Sequence, residues 1–366
     1  MGGSMGMAEA DATDGPLRRD LRRFLAAEIG RGLWDPGAGS FGPGDAGFAT
    51  RLGARGYIGT DWPRACGGLG GSRLDRQVIA EELLAHGAPL RAHWVAERLV
   101  GPLLLGFGTP AQQQELLPRI AAGRLGFCLG IEEAERTAEP AATETRALPV
   151  PGGWRITGRK SPVADAAEAQ RMLLLARTRA PEAVAADRLA GFGLFLVDLA
   201  LPGITRLPMA AAEEAAALPG AVVLDGVFLA ADRLVGGAED GLPAWKAVVE
   251  AALGGPECWM RDWPLLAGLA GVVADPAAEA ALGRLVAEAF ALHQLGLDRA
   301  GEEPKRWRAA LALLGAAQAA ALAEVAPRLL PEAAPPALAG ALAAAQAAAA
   351  WNPWDAARLG LRRPRP

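Results

Sequence analysis

The hydrophobic period of this chain changes twice, and that change constrains the fold more than any single motif. From Leu17 to Gly123 apolar residues recur at helical spacing, in LRRDLRRFLAAEI, LDRQVIAEELLAHG, VAERLVGPLLLGFG and AQQQELLPRIAAG. From Leu125 to Leu234 the pattern becomes short branched or aromatic runs parted by turn residues, such as WRITG, RMLLLART, GFGLFLVDL and AVVLDGVFL. From Leu242 to Ala350 helical spacing returns in alanine-rich form, which favours helices that approach closely. The expected fold class is therefore α+β: a leader over 1–16, an N-terminal helical domain over 17–124, an antiparallel β domain over 125–236 and a C-terminal helical bundle over 237–366. Thr109-Pro110 supplies a cap and a first-turn proline, a start signal for the helix that follows. GGLGG from Gly67 lacks a preceding strand and a following Lys-Ser/Thr, so it reads as a turn rather than a phosphate loop.

Composition excludes several classes. With 366 residues and 51% hydrophobic content the chain can bury a substantial core. Cys66, Cys128 and Cys258 lie far apart, which suggests neither a disulfide framework nor a metal site, and a reducing cytoplasm is expected. A net charge of -4 opposes a broad nucleic-acid surface, although the RLGLRRPRP tail is locally cationic. No signal peptide is expected, and no segment gives about 20 unbroken apolar residues without Gly, Pro or charge, as a membrane span would. His86, His93 and His293 have no carboxylate or serine pattern around them that identifies a triad. Trp245, Trp259, Trp263 and Trp307 read first as core packing.

Helices, β domain, helices is also the order of the acyl-CoA dehydrogenases, and particular residues carry the resemblance. GYIGTDWPRACGGLGGSRLDRQVIAEELLAHGAPL and GPLLLGFGTPAQQQELLPRIAAGRL resemble that family's N-terminal blocks. GFGLFLVDLALPGITRLPM and AVVLDGVFLAADRLVGGAEDG resemble its β-domain strands and the exit into the next helix. The resemblance implies FAD held on the β domain, a carboxylate that removes the α-proton of an acyl-CoA, and a β-hydride passed to the flavin.

Residue by residue, the implied cofactor positions are altered. The family's Ser/Thr-Glu-Pro-Gly-Ala-Gly-Ser-Asp loop falls without gaps on Glu132, Glu133, Ala134, Glu135, Arg136, Thr137, Ala138 and Glu139. Only Glu133 is unchanged, and side chains replace both glycines. The Lys-x-Trp-Thr motif falls on GRKSPV, with Pro162 at the tryptophan and Val163 at the threonine. At the family's catalytic pair, AALGGPECW presents Leu253 and Gly254, leaving Glu250 and Glu257 as nearby candidate carboxylates. The ending AAQAAAAWNPWDAARLGLRR keeps Gln346, Trp354, Arg362 and Arg363, but Ala349 and Ala350 stand where glycines meet a neighbouring subunit's cofactor.

Three functions fit these residues. The first is an auxiliary subunit of a heteromeric, FAD-dependent acyl-CoA dehydrogenase, with little or no FAD bound by this chain alone. The second is a self-sufficient dehydrogenase with an atypical flavin loop, and the third a non-enzymatic acyl-thioester binder or scaffold. The resemblance implies a homo- or hetero-oligomer with a second acyl-CoA dehydrogenase chain and acyl-CoA as a possible ligand; neither nucleic acid nor membrane is expected as a partner.

Overall fold

A computed structural model describes residues 15–40, 47–133, 143–179, 190–207, 220–252, 255–256, 260–273, 275–298, 305–329 and 342. The described residues gather into two compact units, one drawn from 1–48, 70–90 and 254–352, the other from 49–69 and 91–253.

In the first unit the helix Pro16–Gly30 opens with proline in its first turn and turns Leu21, Phe24 and Leu25 inward. Ser72 caps the helix Arg73–Ala85 through a reciprocal box with Asp75. An ionic seam joins these two helices. The Arg18 guanidinium is buried and donates to the buried carboxylates of Glu81 and Glu82. Further along the chain, helices Trp263–Ala270, Pro276–Asp298 and Lys305–Leu329 bury Leu265, Leu269, Leu285, Leu322 and Leu329 in one cluster. That is the helical packing expected of the alanine-rich zone.

The second unit contains the sheet. Its strands are β1 Phe127–Gly130, β2 Arg146–Val150, β3 Gly153–Val163, β4 Arg171–Arg177, β5 Phe192–Asp198, β6 Ile204–Leu207, β7 Gly220–Ala230 and β8 Leu234–Val235. They run in the order β6-β7-β3-β2-β4-β5-β8, with β1 beside β4. The antiparallel expectation holds for β2–β3, β3–β7, β4–β5, β5–β8 and β6–β7. β1 and β4 are parallel, so the sheet is mixed. The reason is connectivity: the chain leaves β1, makes the β2–β3 hairpin, and returns to β4 in β1's direction, which a tight turn cannot achieve. Leu173, Leu174 and Leu175 of β4 and Leu194, Phe195 and Leu196 of β5 are fully buried, as strands covered on both faces require.

Helices in the same unit frame the sheet. Between helices Arg91–Val95 and Gly101–Phe107, residues Ala96–Val100 form a π-helical turn. Here buried Glu97 accepts the Gly59 backbone N–H at 3.1 Å. Gly101 meets the Trp62 ring so closely that a Cβ would lie 2.1 Å from it. The Thr109 start signal is realised as a capping box with Gln112. The Gln112 amide does a second job, donating to the carbonyls of Asp232 and Leu234 at 2.7 and 2.8 Å. Gln112→Ala would leave two carbonyls without their donor and remove half of the cap. A loss of about 1–3 kcal/mol is expected, measured by denaturant unfolding at unchanged m-value.

Candidate functional site

Strand β3 alternates with period two. Ile156 and Lys160 are buried, while Arg155, Thr157 and Arg159 are exposed. An inward lysine is costly unless a carboxylate and further acceptors meet it. Lys160 is fully buried, and its Nζ lies 2.9 Å from Glu133 Oε1, 3.2 Å from the Ile131 carbonyl oxygen and 3.5 Å from Thr143 Oγ1. Glu133 completes the network. It accepts the Glu144 N–H at 2.8 Å, the Thr145 N–H at 3.0 Å and the Thr145 hydroxyl at 2.7 Å. The Ser161 N–H adds a bond to the Glu132 carbonyl at 3.0 Å. The retained acidic residue of the first motif and the lysine of the second are therefore partners, closing the base of the junction between β1 and β2.

Backbone approach is close here as well. A Cβ on Gly158 would stand 2.4 Å from Thr145 Oγ1. Burial draws the Lys160 ammonium down to about 8 despite the opposing attraction of Glu133. Burial also works to raise the Glu133 carboxyl, but the Lys160 charge and the hydrogen bonds from Glu144, Lys160 and Thr145 outweigh it and hold the group below its ordinary value.

The other expected site residues fall differently. The β3–β7 register slips between Lys160 and Val163, placing one extra residue on β3 where Ser161 and Pro162 stand. A proline fits such a bulge because it has no N–H to donate. Val163 is fully buried in the hydrophobic core of the sheet with Ile156, Ala166 and Val222. Pro162 offers no aromatic face or N–H, and Val163 no hydroxyl. The described residues at these positions thus do not fit a flavin ring. Glu250 lies on helix Gly241–Ala252, 3.9 Å from Lys246 one turn earlier. Residues 134–142, Glu257 and Gln346 lie outside the described residues. Among the three histidines, His93 is buried and its imidazole is drawn down to about 4, which keeps it neutral. Among the described residues no group of His, Cys, Asp and Glu could hold a metal ion, and no helix is long and apolar enough to cross a membrane.

Sequence reasoning aligned Lys160 with the lysine of the second motif but missed the network that joins it to Glu133 and Thr145. A signal existed: the alternation WRITGRK places Lys160 on the same face as Ile156, and an inward lysine demands an acid. Nothing local names that acid, which is 27 positions away.

Comparison with known proteins adds sequence and fold relatives. The family model described as "Acyl-CoA dehydrogenase, N-terminal domain" matches residues 13–124. The acyl-CoA dehydrogenase IpdE1 of Mycobacterium tuberculosis is 34% identical over 199 residues, 54% of this chain and 50% of that protein. The chain spans about half the length of the curated relatives it matches. The ChsE4-ChsE5 complex from Mycobacterium tuberculosis contains a chain of similar fold, with TM-score 0.78, 20% identity, and 94% of this chain and 96% of that chain covered. The Tcur3481-Tcur3483 steroid ACAD gives TM-score 0.73 at 24% identity, covering 93% and 92%.

Removing the lysine tests the network. Lys160→Met should cost about 3–5 kcal/mol by leaving Glu133 with no cation, and the Glu133 carboxyl should titrate at higher pH. Because Glu133 is held below its ordinary value, its contribution to stability is present above the unfolded-state pKa and is lost as pH falls through the folded one. Unfolding measured from neutral pH into acid should therefore show a steeper loss in the wild type than in Glu133→Gln.

Proposed function

Because the chain belongs to the acyl-CoA dehydrogenase family, we propose that it acts as an auxiliary subunit of a heteromeric acyl-CoA dehydrogenase, with the working flavin site supplied by a second chain. The observation that carries this reading is the fate of the second flavin motif. Its lysine is locked onto Glu133 as structure, Pro162 occupies a bulge and Val163 belongs to the core. The scaffold around these positions is intact, as a subunit kept for assembly requires. Two proteins of similar fold are described as two-component assemblies, ChsE4-ChsE5 and Tcur3481-Tcur3483.

The chemistry of the assembly would be α,β-desaturation of an acyl-CoA. On this chain Pro162 and Val163 provide a flavin with neither ring nor donor. Each hydrogen bond lost to a cofactor is worth about 1 kcal/mol. Several such losses lower affinity by about a thousandfold. Glu250, beside Lys246 on its helix face, is assigned no catalytic role in this reading.

Expression of the chain alone and together with an acyl-CoA dehydrogenase chain that carries an intact Gly-Ala-Gly-Ser-Asp loop tests the reading. Alone, it should purify with far less than one flavin per chain and no desaturase activity. The co-purified pair should be active and should stay active with Glu250→Gln in this chain. Stoichiometric flavin and turnover by the chain alone would instead establish a self-sufficient enzyme.

A further inference from the structure

The outer face of the β2–β3 hairpin carries a cluster of positive charges. Arg146 lies directly opposite Thr157 in the register, with Leu148 opposite Arg155. Arg155 and Arg159 flank Thr157 at two residues on either side, so both are diagonal neighbours of Arg146. Diagonal Cα positions on one sheet face lie about 7–8 Å apart, within reach of arginine side chains. Three guanidiniums therefore share one small surface. All three residues are exposed.

Like charges grouped on a sheet face oppose folding unless something offsets them. Among the described residues neither Arg146 nor Arg159 has a carboxylate partner, and Arg155 reaches only the Gly226 carbonyl at 3.5 Å. The three arginines line an open groove of about 400 Å³ with Thr157 and Gly158. Two acids also line it. The Glu133 charge is already engaged by Lys160, and Glu144 lines the rim. Gly158 lets the groove floor approach Thr145 more closely than any side chain would allow. Beside the arginines, Leu148 is 58% exposed and Phe228, the β7 partner of Arg155, is 49% exposed, so an apolar row borders the cationic corner.

We propose that this groove binds a small molecule bearing a diphosphate group, held by Arg146, Arg155 and Arg159. The guanidinium fork matches phosphate oxygens bidentately, and a compact polyanion relieves the repulsion among three converging forks better than a single carboxylate does. The exposed Leu148 and Phe228 offer an apolar surface to a nucleoside attached to that diphosphate. This inference is independent of whether the chain has a redox role.

The test is titration calorimetry of the full chain at neutral pH and low salt with two probes, inorganic pyrophosphate and ADP. Both should bind to one site, and added sodium chloride should weaken both. Arg155→Gln/Arg159→Gln and Arg146→Gln each change only exposed side chains, and an unchanged melting temperature shows that they fold. Each should weaken both probes at least about tenfold, the scale of one charge-assisted hydrogen bond. ADP binding tighter than pyrophosphate, with the difference abolished by Phe228→Ala, supports a nucleotide as the ligand, whereas equal affinities support recognition of the diphosphate alone. Failure of both probes to bind the wild type at millimolar concentration, or equal binding by wild type and the arginine variants, would overturn the proposal.

Discussion

A fully buried lysine must find its counter-charge, and the middle of this chain is organised around that requirement. Lys160 enters the interior because β3 alternates, and the cost of burying its ammonium is offset only when Glu133 and the Ile131 carbonyl meet it. Glu133 can stay there because the backbone of Glu144 and Thr145 turns its N–H groups toward the carboxylate. One interaction thus fixes where the chain leaves β1, where it re-enters the sheet at β2, and the register of the β3 end. The same geometry seats Gly158 against Thr145 and leaves the arginines on the opposite face of the strand.

At positions that resemble two acyl-CoA dehydrogenase motifs, charge pairing and packing account for the residues present. Glu133 and Lys160 hold each other, which depends on no ligand. Pro162 and Val163 follow the demands of a bulge and a core rather than those of a ring system. Packing and ligand chemistry constrain a chain separately, so a fold can stay whole while such positions change.

Much of this fold was legible in the sequence, and the illegible parts share a cause. The shifts of hydrophobic period marked the helical and β zones because burial of one face imposes that period directly. Thr109-Pro110 marked a helix start because capping is local. The direction of β1 against β4 was not legible, because alternation shows which residues face inward but not which way a neighbouring strand runs. The π turn at Ala96–Val100 escaped because one extra residue in a turn scarcely disturbs apolar spacing. Glu133 was legible as a surviving residue, yet its partner was not, since pairing across the junction is a tertiary fact. The two compact units, assembled from separate stretches of chain, were hidden for the same reason.

The central claim is that the Lys160–Glu133 pair is a device of the fold that works without a flavin. A double-mutant cycle in flavin-free protein tests it most directly, comparing the unfolding free energies of wild type, Lys160→Met, Glu133→Gln and the double variant. The account predicts strong coupling of about 2 kcal/mol or more, with the double variant less damaged than the sum of the single changes. Additive costs, or single variants as stable as the wild type without flavin, would contradict it.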